Sequence, residues 1–61
     1  MPSRIAFLGG GSDLVVQEDA VRVFDAINEA HGIPAKLTAH DGTEVYVNPG
    51  GIAFWEPEEM S

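Results

Sequence analysis

Apolar and polar positions change their period twice along this chain, and the changes outline the fold. Residues 4 to 8, Arg-Ile-Ala-Phe-Leu, form a short apolar run that ends in Gly9-Gly10-Gly11-Ser12-Asp13. A strand followed by a turn is the expected reading. Leu14-Val15-Val16 is apolar and rich in β-branched residues, which predicts a second strand in a hairpin with the first. From Asp19 the spacing becomes helical. Ala20, Val23, Phe24, Ile27 and Ala30 share one face, and Arg22, Asp25, Asn28 and Glu29 take the other. Asp19 is placed to accept from the orphan amides of the first turn. Gly32 stands where a left-handed C-cap belongs, and Pro34 bars continuation. A second parse also fits the pattern. In it Ser12 caps one helix over residues 13–31, and Val16 joins the stripe of Ala20, Val23, Ile27 and Ala30.

After Pro34 the period is two. Ala35, Leu37 and Ala39 alternate with Lys36, Thr38 and His40, and Val45 and Val47 alternate with Glu44, Tyr46 and Asn48. Asp41-Gly42 between them is a hairpin signal. A two-residue turn would set Leu37 opposite Tyr46 and leave the valines opposite Lys36 and Thr38. A three-residue loop, His40-Asp41-Gly42, instead pairs Leu37 with Val45 and Ala35 with Val47. A one-residue slip moves a strand's apolar set to the wrong face, so the pattern selects the longer loop with Gly42 left-handed. Asn48-Pro49-Gly50-Gly51 is a further turn. Residues 52–56 form a last strand, with Ile52 and Phe54 on the core face and Ala53 and Trp55 opposite. Pro57 ends it, and residues 58–61 read as a frayed acidic tail.

These elements predict one α+β domain over residues 1–57, in order ββαβββ. A mostly antiparallel sheet, closing in a three-stranded meander, carries one helix on one face. The alternative is βαβββ with the helix over 13–31. One helix covers one side of such a sheet. The other side is expected to carry Tyr46, Trp55 and Ala53, extended by the first strand through Ile5 and Phe7. That strand is apolar on both sides, as strands buried on both faces are. Aromatic residues on an uncovered face mark an interface.

Composition narrows the function. A chain of 61 residues buries only about 60% of the surface its unfolded form exposes, so its stability is marginal. It has no cysteine, which removes disulfides and thiolate metal sites and leaves a partner chain as the remaining staple. The hydrophobic fraction of 44% is that of a folded protein. No apolar run approaches the roughly 20 residues of a membrane span, and Met-Pro-Ser-Arg does not open a signal peptide. A cytosolic protein is expected. Ten acidic residues against three basic ones give a net charge of -7. That charge opposes nucleic acid and anionic membranes, aids solubility, and suits a basic partner.

No arrangement of residues points to catalysis. Gly9-Gly10-Gly11 supplies two glycines of a dinucleotide fingerprint, but Leu14 stands at the third position and no second βα unit follows. The loop also lacks the Gly-Lys-Ser/Thr ending of a P-loop. Ser12, His31, His40 and Asp41 include the residue types of a triad without its geometry. Asp25 with Glu29, and Glu56 with Glu58 and Glu59, read as solvated carboxylates. The expectation is a non-enzymatic module without cofactor or metal, binding itself or another protein, as a homo-oligomer in the first case. Its alternatives are an acidic decoy of a basic nucleic-acid-binding protein and a small ligand-binding domain built on the Gly9–Gly11 loop.

Residues 35–56, "AKLTAHDGTEVYVNPGGIAFWE", resemble the small flagellar FlbD-like proteins of bacteria and phage. Leu37, Thr38, Gly42, Val45, Val47, Asn48 and Ile52 carry the likeness. The order of hairpin, helix and meander is also similar to small actinobacterial proteins. The resemblance implies a small accessory protein and transfers no catalytic residue.

Overall fold

The computed structural model describes residues 1–31 and 33–58, so the Gly32 C-cap and the tail beyond Glu58 lie outside the described residues. The element order is ββαβββ. It comprises β1 (Ser3–Phe7), β2 (Leu14–Val16), α1 (Ala20–Ala30), β3 (Ala35–Thr38), β4 (Glu44–Val47) and β5 (Ile52–Pro57). Leu14–Val16 is therefore a strand, and the long helix over 13–31 does not form. Gly10 and Gly11, at φ 79° and 84°, turn the chain so that Ile5 meets Leu14 and Ser3 meets Val16. The Asp19 carboxylate accepts from the Arg22 amide at 2.8 Å and starts α1. His31 closes the helix in a left-handed conformation at φ 45°. Val23 and Ala30 are buried, whereas Phe24 is 53% exposed. With 3.6 residues per turn, Phe24 lies about 100° round the helix from Val23, at the rim of the apolar stripe rather than within it.

β3 and β4 pair in the apolar register. Ala35 faces Val47 and Leu37 faces Val45. The connecting loop has three residues: the Ala39 amide donates to Thr43 O at 2.8 Å, and the Gly42 amide donates to Ala39 O at 2.9 Å. Gly42 sits at φ 93°, where a β-carbon would be strained. The Asp41 carboxylate accepts from the Thr43 amide at 3.0 Å and completes the turn.

The predicted meander does not form. β5 leaves β4 and pairs antiparallel with β1, which gives two sheets, β2-β1-β5 and β3-β4. The Asn48 side chain accepts from the Gly50 amide and winds Pro49–Gly51 into a 3-10 turn. The Leu8 amide then donates to Gly51 O at 2.9 Å and delivers the chain to β1. Local periodicity reports a strand but not its partner, because pairing is decided by burial across the whole fold. The two sheets meet at one seam, where Val16 bridges Ala39. At that seam the Gln17 amide donates to Thr38 O at 2.7 Å and the His40 amide donates to Val15 O at 3.0 Å. The helix lies mainly on β3 and also touches β5.

A second correction follows from the β1–β5 register. Ala6 faces Phe54 while Phe7 faces Ile52, so Ala53 is an extra residue. Such a bulge switches the faces of the strand on either side of it. Ile52 and Trp55 therefore both pack on the core, and Phe54 points outward. Ile5, Val16, Val23, Leu37 and Val47 make the buried centre. Glu58 is not frayed: its amide donates to Pro2 O at 2.8 Å.

Ser3 is fully buried, and its hydroxyl has no hydrogen-bond partner among the described residues. An unpaired buried hydroxyl costs about 1–3 kcal/mol. Ser3→Ala should therefore leave stability to urea unchanged or raise it by up to about 2 kcal/mol. A loss of more than about 1 kcal/mol would show that the hydroxyl is satisfied.

Candidate interaction surface

The five residues expected on one open face are divided by the structure. Ile5 is fully buried at the centre of the core. Phe7 and Trp55 are half-buried and packed against it. Ala53 is exposed at the bulge, and Tyr46 is 66% exposed on β4. Trp55 has a structural task. Its indole N–H donates to the Ala20 carbonyl at 3.0 Å, which fixes the first turn of α1 over β5. A half-buried Trp ring with its one donor satisfied is a stable arrangement.

Other apolar side chains face solvent instead. Leu8, Val21, Ile33 and Phe54 are each more than half exposed, as is Phe24. Val21 and Phe24, three residues apart, lie on neighbouring turns at one flank of the helix. The helical stripe read from the sequence set Phe24 on the buried face and left Val21 unassigned. The outward position of Phe54 was not visible there either, because it depends on the bulge. Ile33, just before Pro34, gave no periodic signal.

Charged groups organise the outer side of β1. Arg4 alternates with the buried Ser3 and Ile5 and therefore points away from the core. Glu56 hydrogen-bonds its guanidinium, with Glu58 at 3.1 Å and Asp13 at 3.6 Å. The bond to Glu56, then the charge of Glu58, raises the Arg4 pKa above its ordinary value. On the neighbouring sheet Lys36 pairs with Glu44 at 3.0 Å, which raises the lysine pKa. These groups are open to water, so each pair adds little stability.

The Gly9–Gly11 loop joins two antiparallel strands, and the element that follows it is β2 rather than a helix. It therefore presents no helix N-terminus to a phosphate. Ser12, His31, His40 and Asp41 are all exposed; His40 and Asp41 are neighbours in the β3–β4 loop, while Ser12 and His31 lie in other turns. Among the described residues no three His, Asp or Glu side chains converge as metal ligands. No described helix is long and apolar enough to cross a membrane. What the fold and surface define is a small α+β protein with apolar side chains projecting from an acidic frame. No family model, curated protein or solved structure matches it.

Two predictions follow from this geometry. Trp55→Phe keeps an aromatic ring at this position but removes the donor to Ala20 and part of the packed ring area. It should cost about 1 kcal/mol in urea unfolding, and the amides of the first helical turn should exchange faster. No change in either would show that the indole bond is not formed. The second concerns acid. The Thr43 amide bond lowers the Asp41 pKa below the ordinary 3.8. A depressed folded pKa contributes stability that is present above the unfolded value and is lost as pH falls through the folded one. The stability gap between the wild type and Asp41→Ala should accordingly close as pH drops below that range. A gap that persists in acid would contradict the assignment.

Proposed function

We propose that this chain is a non-enzymatic interaction module that assembles with copies of itself through exposed apolar side chains. The observation that carries the proposal is the number of large apolar residues left outside so small a core. Tyr46 is 66% and Phe54 55% exposed, on two different strands, and Val21 and Phe24 add a helical flank. Single exposed apolar residues are ordinary, but a chain that leaves this many uncovered has surface to bury against a partner. Marginal stability in a cysteine-free chain of 61 residues favours the same outcome, because a partner that binds the folded form stabilises it. The charge of -7 sets a condition on self-assembly. Like charges brought together repel, and salt screens that repulsion.

Light scattering across a concentration series tests the proposal. A dimer or larger assembly is expected, and added salt should strengthen it. Replacing Phe24, Tyr46 or Phe54 by Ser, one at a time, should weaken assembly by more than about tenfold in at least one case, as loss of a buried aromatic anchor does. A strict monomer at every concentration, or assembly unchanged in all three variants, would overturn it.

A further inference from the structure

β3 has an edge that the fold covers only in part. The Ala39 amide bonds to Thr43 on β4. Hydrogen-bonding direction alternates along an antiparallel strand, so Ala35, Leu37 and Ala39 address β4, while Lys36 and Thr38 address the opposite side. On that side β2 pairs with β3 for a single bridge, Val16 to Ala39, before the chain turns into α1. Thr38 is fully engaged there. Its carbonyl accepts from the Gln17 amide at 2.7 Å, and its amide donates to the Glu18 carboxylate at 2.9 and 3.0 Å. Glu18 thus supplies the acceptor that a neighbouring strand would supply. One step further along, the Lys36 amide and carbonyl have no backbone partner among the described residues.

Beside this bare stretch an open groove of about 600 Å³ runs between β3 and α1. Its helical wall presents Arg22, Asp25 and Glu29, and Glu18 and Asp19 stand at its head. Four carboxylates there oppose Arg22, Lys36 and Met1 with its terminal ammonium, and the Lys36 ammonium is already paired with Glu44 at 3.0 Å. The groove is therefore anionic, within a chain of net charge -7. A second copy of the chain is a poor occupant on charge, whereas a cationic segment is complementary.

We propose that a short extended segment of a basic partner protein adds to the β3 edge in this groove. It lies antiparallel to β3, in continuation of β2. One of its residues exchanges both backbone hydrogen bonds with Lys36, which is the β-augmentation mode of peptide recognition. The Leu37 and Ala35 side chains point into the core, beneath the helix. By the same alternation, the two segment residues flanking the Lys36 partner point toward the helical wall. Lys or Arg at both positions faces Asp25 and Glu29. The recognised pattern is basic-x-basic. This surface is separate from the aromatic one proposed for self-assembly, and salt acts on the two in opposite directions.

The test is an NMR titration of the 15N-labelled chain with the blocked peptide Thr-Lys-Val-Lys-Thr at low salt. The same peptide N-methylated at valine and the peptide Thr-Glu-Val-Glu-Thr serve as comparisons. Shifts centred on the Lys36 amide are expected. Affinity should fall by about fivefold or more on N-methylation, which removes the donor to the Lys36 carbonyl. It should fall similarly in the exposed double variant Asp25→Lys, Glu29→Lys, whose own spectrum reports its folding. Shifts scattered over the acidic surface, equal binding of the N-methylated peptide, or no shift at Lys36 would each overturn the proposal.

Discussion

The seam between β2 and β3 is the constraint on which the rest of the molecule depends. The two-stranded β3-β4 sheet is too small to stand alone, since an isolated hairpin is marginal in water. It is joined to the three-stranded sheet through Val16 and Ala39, the Gln17 and His40 amides, and the Glu18 carboxylate on the Thr38 amide. Val16 is also in the buried core, so the residue that makes the bridge packs with Ile5 from one sheet and Leu37 and Val47 from the other. The helix then spans both sheets. It rests on β3 and is pinned to β5 by Trp55. Without the seam, no single apolar centre exists for α1 to cover.

The position of Glu18 connects this architecture to the groove. Because the chain must turn at Asp19 to begin the helix, β2 cannot continue along β3. A side chain takes over the role of the next backbone group at Thr38, and the edge beyond it stays bare at Lys36. The open strand edge thus follows from the way the fold joins its halves. The outer edges of β4 and β5 also lack a strand partner among the described residues, but the β3 edge is the one that runs beside the acidic groove.

How much of this could be read in advance depends on the range of the interaction. Local features were legible. The Asp19 cap, the strand at Leu14–Val16 and the three-residue loop with its register each follow from spacing within a few residues. The β3–β4 register in particular was decided by parity, because only one loop length keeps Leu37, Val45 and Val47 on one face. The partner of β5 was not legible. Its choice of β1 over β4 depends on a 3-10 turn and on contacts about fifty residues apart in the chain. The bulge at Ala53 then reversed the faces of Phe54 and Trp55, so the five residues assigned to one face from alternation are divided. Tyr46 and Ala53 are outside, while Trp55, Phe7 and Ile5 hold the core together.

Amide hydrogen exchange at the seam tests this account most directly. If the seam joins the two sheets into one cooperative unit, the Gln17, Thr38 and His40 amides should exchange as slowly as the amide of Ile5 in the core strand, because all four open only with the whole fold. Exchange at Thr38 and His40 as fast as at the exposed Ser12, with Ile5 still protected, would contradict it. The two sheets would then open independently, and the helix would have to be held by one of them alone.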